Sequence, residues 1–204
     1  MEFSSDTEQK IMRAATEVFL EKGKDGARMQ EIADRAGINK ALLHYYFRSK
    51  DKLFEQVFKQ EFKFILSNIV QVLSITDDFK EFLRQFVRNY LQAIIPRRNL
   101  MRFIIWEITK MQPHLVQYFF ETFREHGYTE NPIILRINKA IDEGQIKSVD
   151  PVQFIMSFLG MCIFPVMAAP VLQHILYDLD INHPDFIEQR VEAILDLVWN
   201  GIKP

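Results

Sequence analysis

The chain has 204 residues, nearly half of them hydrophobic, with 25 lysines and arginines against 27 aspartates and glutamates for a formal charge of −2. That length and apolar content suit one large domain or two small ones and exclude a disordered chain, while the single cysteine, Cys162, excludes an internal disulfide and a multi-cysteine zinc site. The charge argues against a generally basic nucleic-acid coat protein. Met1-Glu2-Phe3-Ser4-Ser5-Asp6 has neither the basic nor the apolar region of a secretory signal, so a reducing, cytoplasmic setting is expected.

Apolar residues recur at helical spacing almost end to end, which predicts an all-α fold. A first helix opens at Ser5, with Glu8 in capping-box position. It carries the stripe Ile11, Ala14, Ala15, Val18, Phe19 and ends at Gly23 and Gly26. A short helix fits Met29 to Ala36, closed by Gly37, and another runs from Lys40 to about Phe47 with Asn39 as its cap. A fourth begins after Ser49 and extends to Thr76. The next buries Phe79, Phe82, Leu83, Phe86, Val87, Tyr90, Leu91 and Ile94. Further helices are expected over Asn99 to Met111, then between His114 and Glu143 with breaks near Gly127 and Pro132, and last from about Pro184 to Ile202.

Between Asp150 and Asp178 lie 27 residues without a charged side chain, long enough to cross a bilayer of about 30 Å at about 1.5 Å per residue. Gly160, Pro165 and Pro170 inside the run, aspartates at both borders and the lack of flanking basic anchors weigh against a span. The alternative is a helix buried on all sides, in the core or between subunits. The apolar last helix that follows favours a subunit interface, built from residues 151–177 and 184–202.

Two short helices around Ala36-Gly37-Ile38-Asn39 have the form of a helix-turn-helix. In such a motif the second helix enters the major groove. Lys40 at its start is able to donate to guanine, and Ala41 is small enough for a thymine methyl. Residues 1–55 hold ten basic and ten acidic side chains, yet residues 37–50 carry Lys40, Arg48 and Lys50 with no acid. The stretch from Met29 to Phe54, with Ile32-Ala33, Ala36-Gly37-Ile38, Lys40, Tyr45-Tyr46-Phe47 and Ser49-Lys50, resembles the DNA-binding signature of the TetR (tetracycline-repressor) family. A further likeness is the Glu143–Pro151 passage, similar to family members just before their dimerisation helices.

The resemblance implies base reading by Gln30, Lys40 and Ala41. It implies phosphate contacts from Asn39, His44, Tyr45 and Lys50, joined by Arg28, with Lys50 and its helix N-terminus as one anion clamp. Two departures stand out. Arg28-Met29 replaces a threonine common at the start of the first short helix, so that cap must come from elsewhere, and Leu42 is unable to donate to a phosphate.

Fourteen of 18 phenylalanines follow residue 55, enough to enclose an apolar ligand or simply to fill a core. The resemblance implies a pocket between the middle helices and the dimerisation pair, for which Phe62, Phe103, Trp106, Phe120, Met156 and Phe164 are candidates. Glu107 could meet a cationic ligand or pair with Arg102 or Lys110. No GxSxG, HExxH, P-loop or dinucleotide glycine pattern occurs, so neither an enzyme nor a metal or cofactor protein is expected, and Cys162 reads as packing.

The expectation is a head over residues 1–50 and a ligand-binding and dimerisation part over 51–204. Together they would form a homodimeric, ligand-released regulator of a palindromic operator, most simply a repressor. The alternative is a helical binding protein for a lipid or apolar metabolite that binds no operator.

Overall fold

The computed structural model describes residues 3–73, 75–109, 113–176 and 179–204, without the side chains of 3–5, 107, 108, 113–116, 118 and 119. Among them every regular element is a helix. Helix α1 (Phe3–Gly26) starts two residues before Ser5, which therefore lies inside the helix and is not its cap. It buries the stripe from Ile11 to Phe19. At Gly23 the backbone leaves helical geometry with φ 67°, a left-handed value that glycine adopts freely, and α1 bends there.

The next two helices follow the local signals closely. Helix α2 (Met29–Ala36) ends on Gly37 at φ 69°, whose N–H returns to the helix carbonyls. No side chain caps its start at Arg28. Helix α3 (Lys40–Tyr46) is capped by Asn39, whose side-chain oxygen accepts from Leu42 N at 2.8 Å.

Helix α4 (Lys50–Val72), capped by Ser49, connects this small bundle to the rest of the chain. Its Phe54 meets Phe19 of α1 edge-on at 5.1 Å and Phe103 of α6 (Arg98–Thr109) at 5.4 Å. Three helices thus share one aromatic contact. The helix stops at Val72, four residues short of Thr76, because the following turn is claimed by α8 (Pro132–Asp142). There Arg136 donates to the Thr76 carbonyl, and Lys139 pairs with Asp77 at 2.9 Å.

Helix α5 (Phe79–Ile94) is the central rod. Its apolar face runs Phe79, Phe82, Phe86, Tyr90, each ring within about 6 Å of the next. Phe154 and Phe158 of α9 (Pro151–Met167) join this ladder. Helix α7 (Pro113–Glu125) flanks α4, to which Lys59–Glu121 and Lys63–Glu125 ion pairs tie it. Helix α11 (Phe186–Ile202) packs on α5 and is held by Arg88–Glu188 and Arg84–Glu192 pairs.

The uncharged interval is two helices, α9 and α10 (Ala169–Ile175), bent by 76° at Ala168. Among the described residues no single helix is long and apolar enough to cross a membrane. At 17 residues, α9 extends only about 25 Å.

Candidate nucleic-acid interface

Helix α2 is fixed against α1 by ions. Arg35 donates to both carboxylate oxygens of Glu21, at 2.8 and 2.6 Å, and to Glu31 at 3.0 Å. Lys22 holds Glu31 from the other side at 2.7 Å. The Arg35 guanidinium keeps the Glu21 carboxyl below its usual range, and Lys22, with Arg35, does the same for Glu31. Both pairs lie in solvent, so their value is geometric: a bidentate arginine resists a roll of α2 about its axis.

Against that clamped helix α3 turns one face inward and one outward. Leu43 and Phe47 are buried, together with Ile32 and Ala33 of α2. Lys40, Ala41, His44 and Tyr45 are exposed, Tyr45 by 80%, with its ring edge-on to Tyr46 at 5.6 Å. Leu42 lies at the border of this face. Lys40 and Arg48 make no ion pair among the described residues, and the acid nearest Arg48 in sequence, Asp51, is paired with Lys24 at 3.1 Å. The outward surface is therefore cationic, small in relief and aromatic at one edge.

The other predicted contacts divide. Arg28 is exposed at the start of α2, and Gln30, the second residue of that helix, donates from Nε2 to Asp34 at 2.8 Å. Asn39 is exposed, with its oxygen engaged in capping α3. Lys50 departs from the expected phosphate clamp. Its ammonium donates to the carbonyls of Asp25 and Ala27, at 3.2 and 3.1 Å, and so staples α4 to the α1–α2 turn. Two of its three N–H groups are committed inside the protein. Arg48, which sequence reading counted only as charge, is the freer cation beside the reading helix.

The predicted ligand set is not gathered into one cavity. Phe62 and Phe103 are buried in the core, Phe62 stacked on Phe58. Trp106, Phe120, Met156 and Phe164 are each more than half exposed. The reason is helical phase. Helix α6 buries Leu100, Met101, Phe103 and Ile104, which turns Trp106 away; α9 buries Phe158, Cys162 and Val166, which turns Met156 and Phe164 away. The Glu107 side chain lies outside the described residues. Burial pushes the Cys162 thiol up to about 12, so it is protonated packing at neutral pH.

Residues 11–57 match the model of bacterial regulatory proteins, tetR family. Over this segment the chain is similar to the DNA-binding region of the TetR family. It is 37% identical over 84 residues to FasR of Mycolicibacterium smegmatis, a helix-turn-helix transcriptional activator, spanning 41% of this chain and 38% of that protein. It is 26% identical over 192 residues to YttP of Bacillus subtilis, covering 92% of this chain and 90% of that one. Among solved structures, the flavonoid-responsive regulator FrrA superposes with a TM-score of 0.64 at 27% identity, covering 98% of each chain. Within the matched segment the helix-turn-helix consists of α2 and α3, and the exposed face described above is that of its second helix.

Proposed function

We propose that this chain is a ligand-responsive transcriptional regulator, most simply a repressor, acting in the cytoplasm. Residues 1–50 serve as the DNA-binding unit and residues 51–204 as the ligand-binding and dimerisation unit. The observation that carries this reading is the outward face of α3, where Lys40, Ala41, His44 and Tyr45 stand exposed beside unpaired Arg48. Lys40, Ala41 and Gln30 read base edges; Arg28, His44, Tyr45, Asn39 and Arg48 hold phosphates. Lys50 serves chiefly as a staple between α4 and the α1–α2 turn.

A palindromic operator requires two heads. The α9 and α11 surfaces supply a second-copy face: Met156, Phe164 and Leu197 are exposed by 60–66%, and a groove of about 450 Å³ runs between the helices past Ser157, Met161 and Gly201. Joined there, two recognition helices meet successive major grooves about 34–36 Å apart, or a multiple of that. A small apolar ligand in the larger unit releases DNA if it binds better to a different head spacing. The flavonoid response of FrrA supports a ligand of that apolar kind.

The test is a gel-shift titration of the full chain against DNA upstream of its own coding region. Salt-sensitive, sequence-preferring binding at submicromolar protein is expected. Its absence overturns the reading in favour of a helical binding protein for a lipid or apolar metabolite.

A further inference from the structure

Gln30 and Asp34 stand one turn apart on the exposed side of α2, and Nε2 of Gln30 donates to Oδ1 of Asp34 at 2.8 Å. An ionised carboxylate accepts and never donates, so it engages only the amine end of the glutamine. The carbonyl Oε1 accepts no hydrogen bond among the described residues. Among the described residues Asp34 has no cation and no other side-chain hydrogen bond, and Arg35, Glu21, Glu31 and Lys22 tie the adjacent face of α2 to α1. The helix is thereby fixed in rotation and the amide in sense.

We infer that Asp34 is a positioning residue that sets the base preference of Gln30, making it select an amine-bearing base, adenine or cytosine, over guanine or thymine. The inference rests on the base-reading role proposed above for Gln30. A free glutamine amide presents either end, and so tolerates an amine or a keto group in the major groove. With one of its two N–H groups held by Asp34, the amide is biased toward accepting through Oε1, which suits adenine N6 or cytosine N4 and meets guanine O6 or thymine O4 with lone pair against lone pair. Asp34 itself brings a negative charge near the phosphates, which lowers affinity for every sequence alike. A site that keeps such a charge trades grip for discrimination.

Selection of full-length protein on an operator library randomised at each half-site position tests this. The wild type is expected to favour adenine or cytosine at one position by roughly three- to tenfold, the worth of one hydrogen bond. Gln30→Ala should level that position and leave the others. Asp34→Asn, whose amide donates as readily as it accepts, should shrink the preference at the same position while binding to all sequences tightens; an unchanged Tm excludes a folding defect. Guanine or thymine preferred at that position by the wild type, or a preference that survives Asp34→Asn intact, overturns the inference while leaving Gln30 a reader. If Gln30→Ala changes no position, the base-reading role of Gln30 itself fails, and the inference with it.

Discussion

Arg190 donates from Nη2 to the carbonyl of Met161 at 2.7 Å, and that carbonyl is the one Pro165 leaves without its helical donor. A proline inside a helix removes the N–H that would bond four residues back. Here a guanidinium from α11 supplies the missing proton, so α9 stays helical through Pro165 and is tied to α11 at the same point. Leaving a carbonyl unpaired costs up to about 1–3 kcal/mol when it is fully buried, and less for this partly buried one; each kcal/mol lowers Tm by about 2–4 °C at this chain length. Arg190→Leu should therefore destabilise, and Pro165→Ala should restore much of the loss in the Arg190→Leu background by returning the backbone N–H. Thermal unfolding of the four-member cycle checks this; strictly additive changes would show that the two residues do not share the carbonyl.

Lys50 is expected to behave as a staple more than as a phosphate contact. Its ammonium bridges the Asp25 and Ala27 carbonyls at the bend that Gly23 introduces. Lys50→Met should lower Tm by about 2–8 °C, the consequence of losing two charge-assisted hydrogen bonds partly shielded from water. The slope of log affinity against log salt should change little. Arg48→Met should do the reverse, reducing the salt slope by about one counterion per subunit with Tm unchanged. Equal salt slopes for the two variants would contradict this division.

The contrast between Asn39 and Lys50 shows what was legible in the sequence and what was not. The bounds of α2 and α3, the Asn39 cap and the Gly37 turn depend on residues within four positions of each other, and all stand where local chemistry puts them. The end of α4 does not, because Thr76 and Asp77 are taken by Arg136 and Lys139, about 60 residues away. The Lys50 ammonium likewise goes to acceptors freed by a bend more than twenty residues upstream. Trp106, Met156 and Phe164 are apolar residues on helices with more than one apolar face, and spacing alone gives no sign of which face meets the core. For the helix-turn-helix the pattern sufficed; for the ligand set it did not.

Glu61 gives the protein a pH-dependent strain at the junction of α1 and α4. Burial raises its carboxyl above the usual 4.5, against the pull of Arg97 and a hydrogen bond with Thr16 on α1. The folded state thus holds this proton to higher pH than the unfolded chain does. The group costs nothing while protonated in both states; stability falls as pH rises through 4.5 and levels off above the raised folded value. Glu61→Gln keeps an oxygen to accept from Thr16, and Arg97 retains its stack on the Phe64 ring at 4.2 Å. The variant should melt higher than wild type at pH 7.5 and no higher at pH 4. A difference independent of pH would mean that the substitution acts through packing.

Leu197 offers the sharpest test of the proposed second-copy face. It is 66% exposed on α11, one turn beyond exposed Ala193 and one turn before Gly201, while Val191, Ile194, Leu195 and Val198 on the other side of the same helix are buried. A charge placed at Leu197 therefore leaves the fold of one chain intact. In a two-fold interface the same position occurs twice, so Leu197→Glu would bury two like charges without partners. An expected cost of at least 3 kcal/mol raises the dimer dissociation constant about 100-fold or more. Sedimentation velocity at micromolar concentration should show a dimer for wild type and a monomer for Leu197→Glu, with unchanged helical circular dichroism. Binding to a full operator should fall to that of a half-site. Gly201→Ala, where an added Cβ meets no atom of its own chain within 4 Å, reads the same face from its other end. Should Leu197→Glu sediment as a dimer and bind the full operator like wild type, the two heads must be joined by some surface other than α9 and α11.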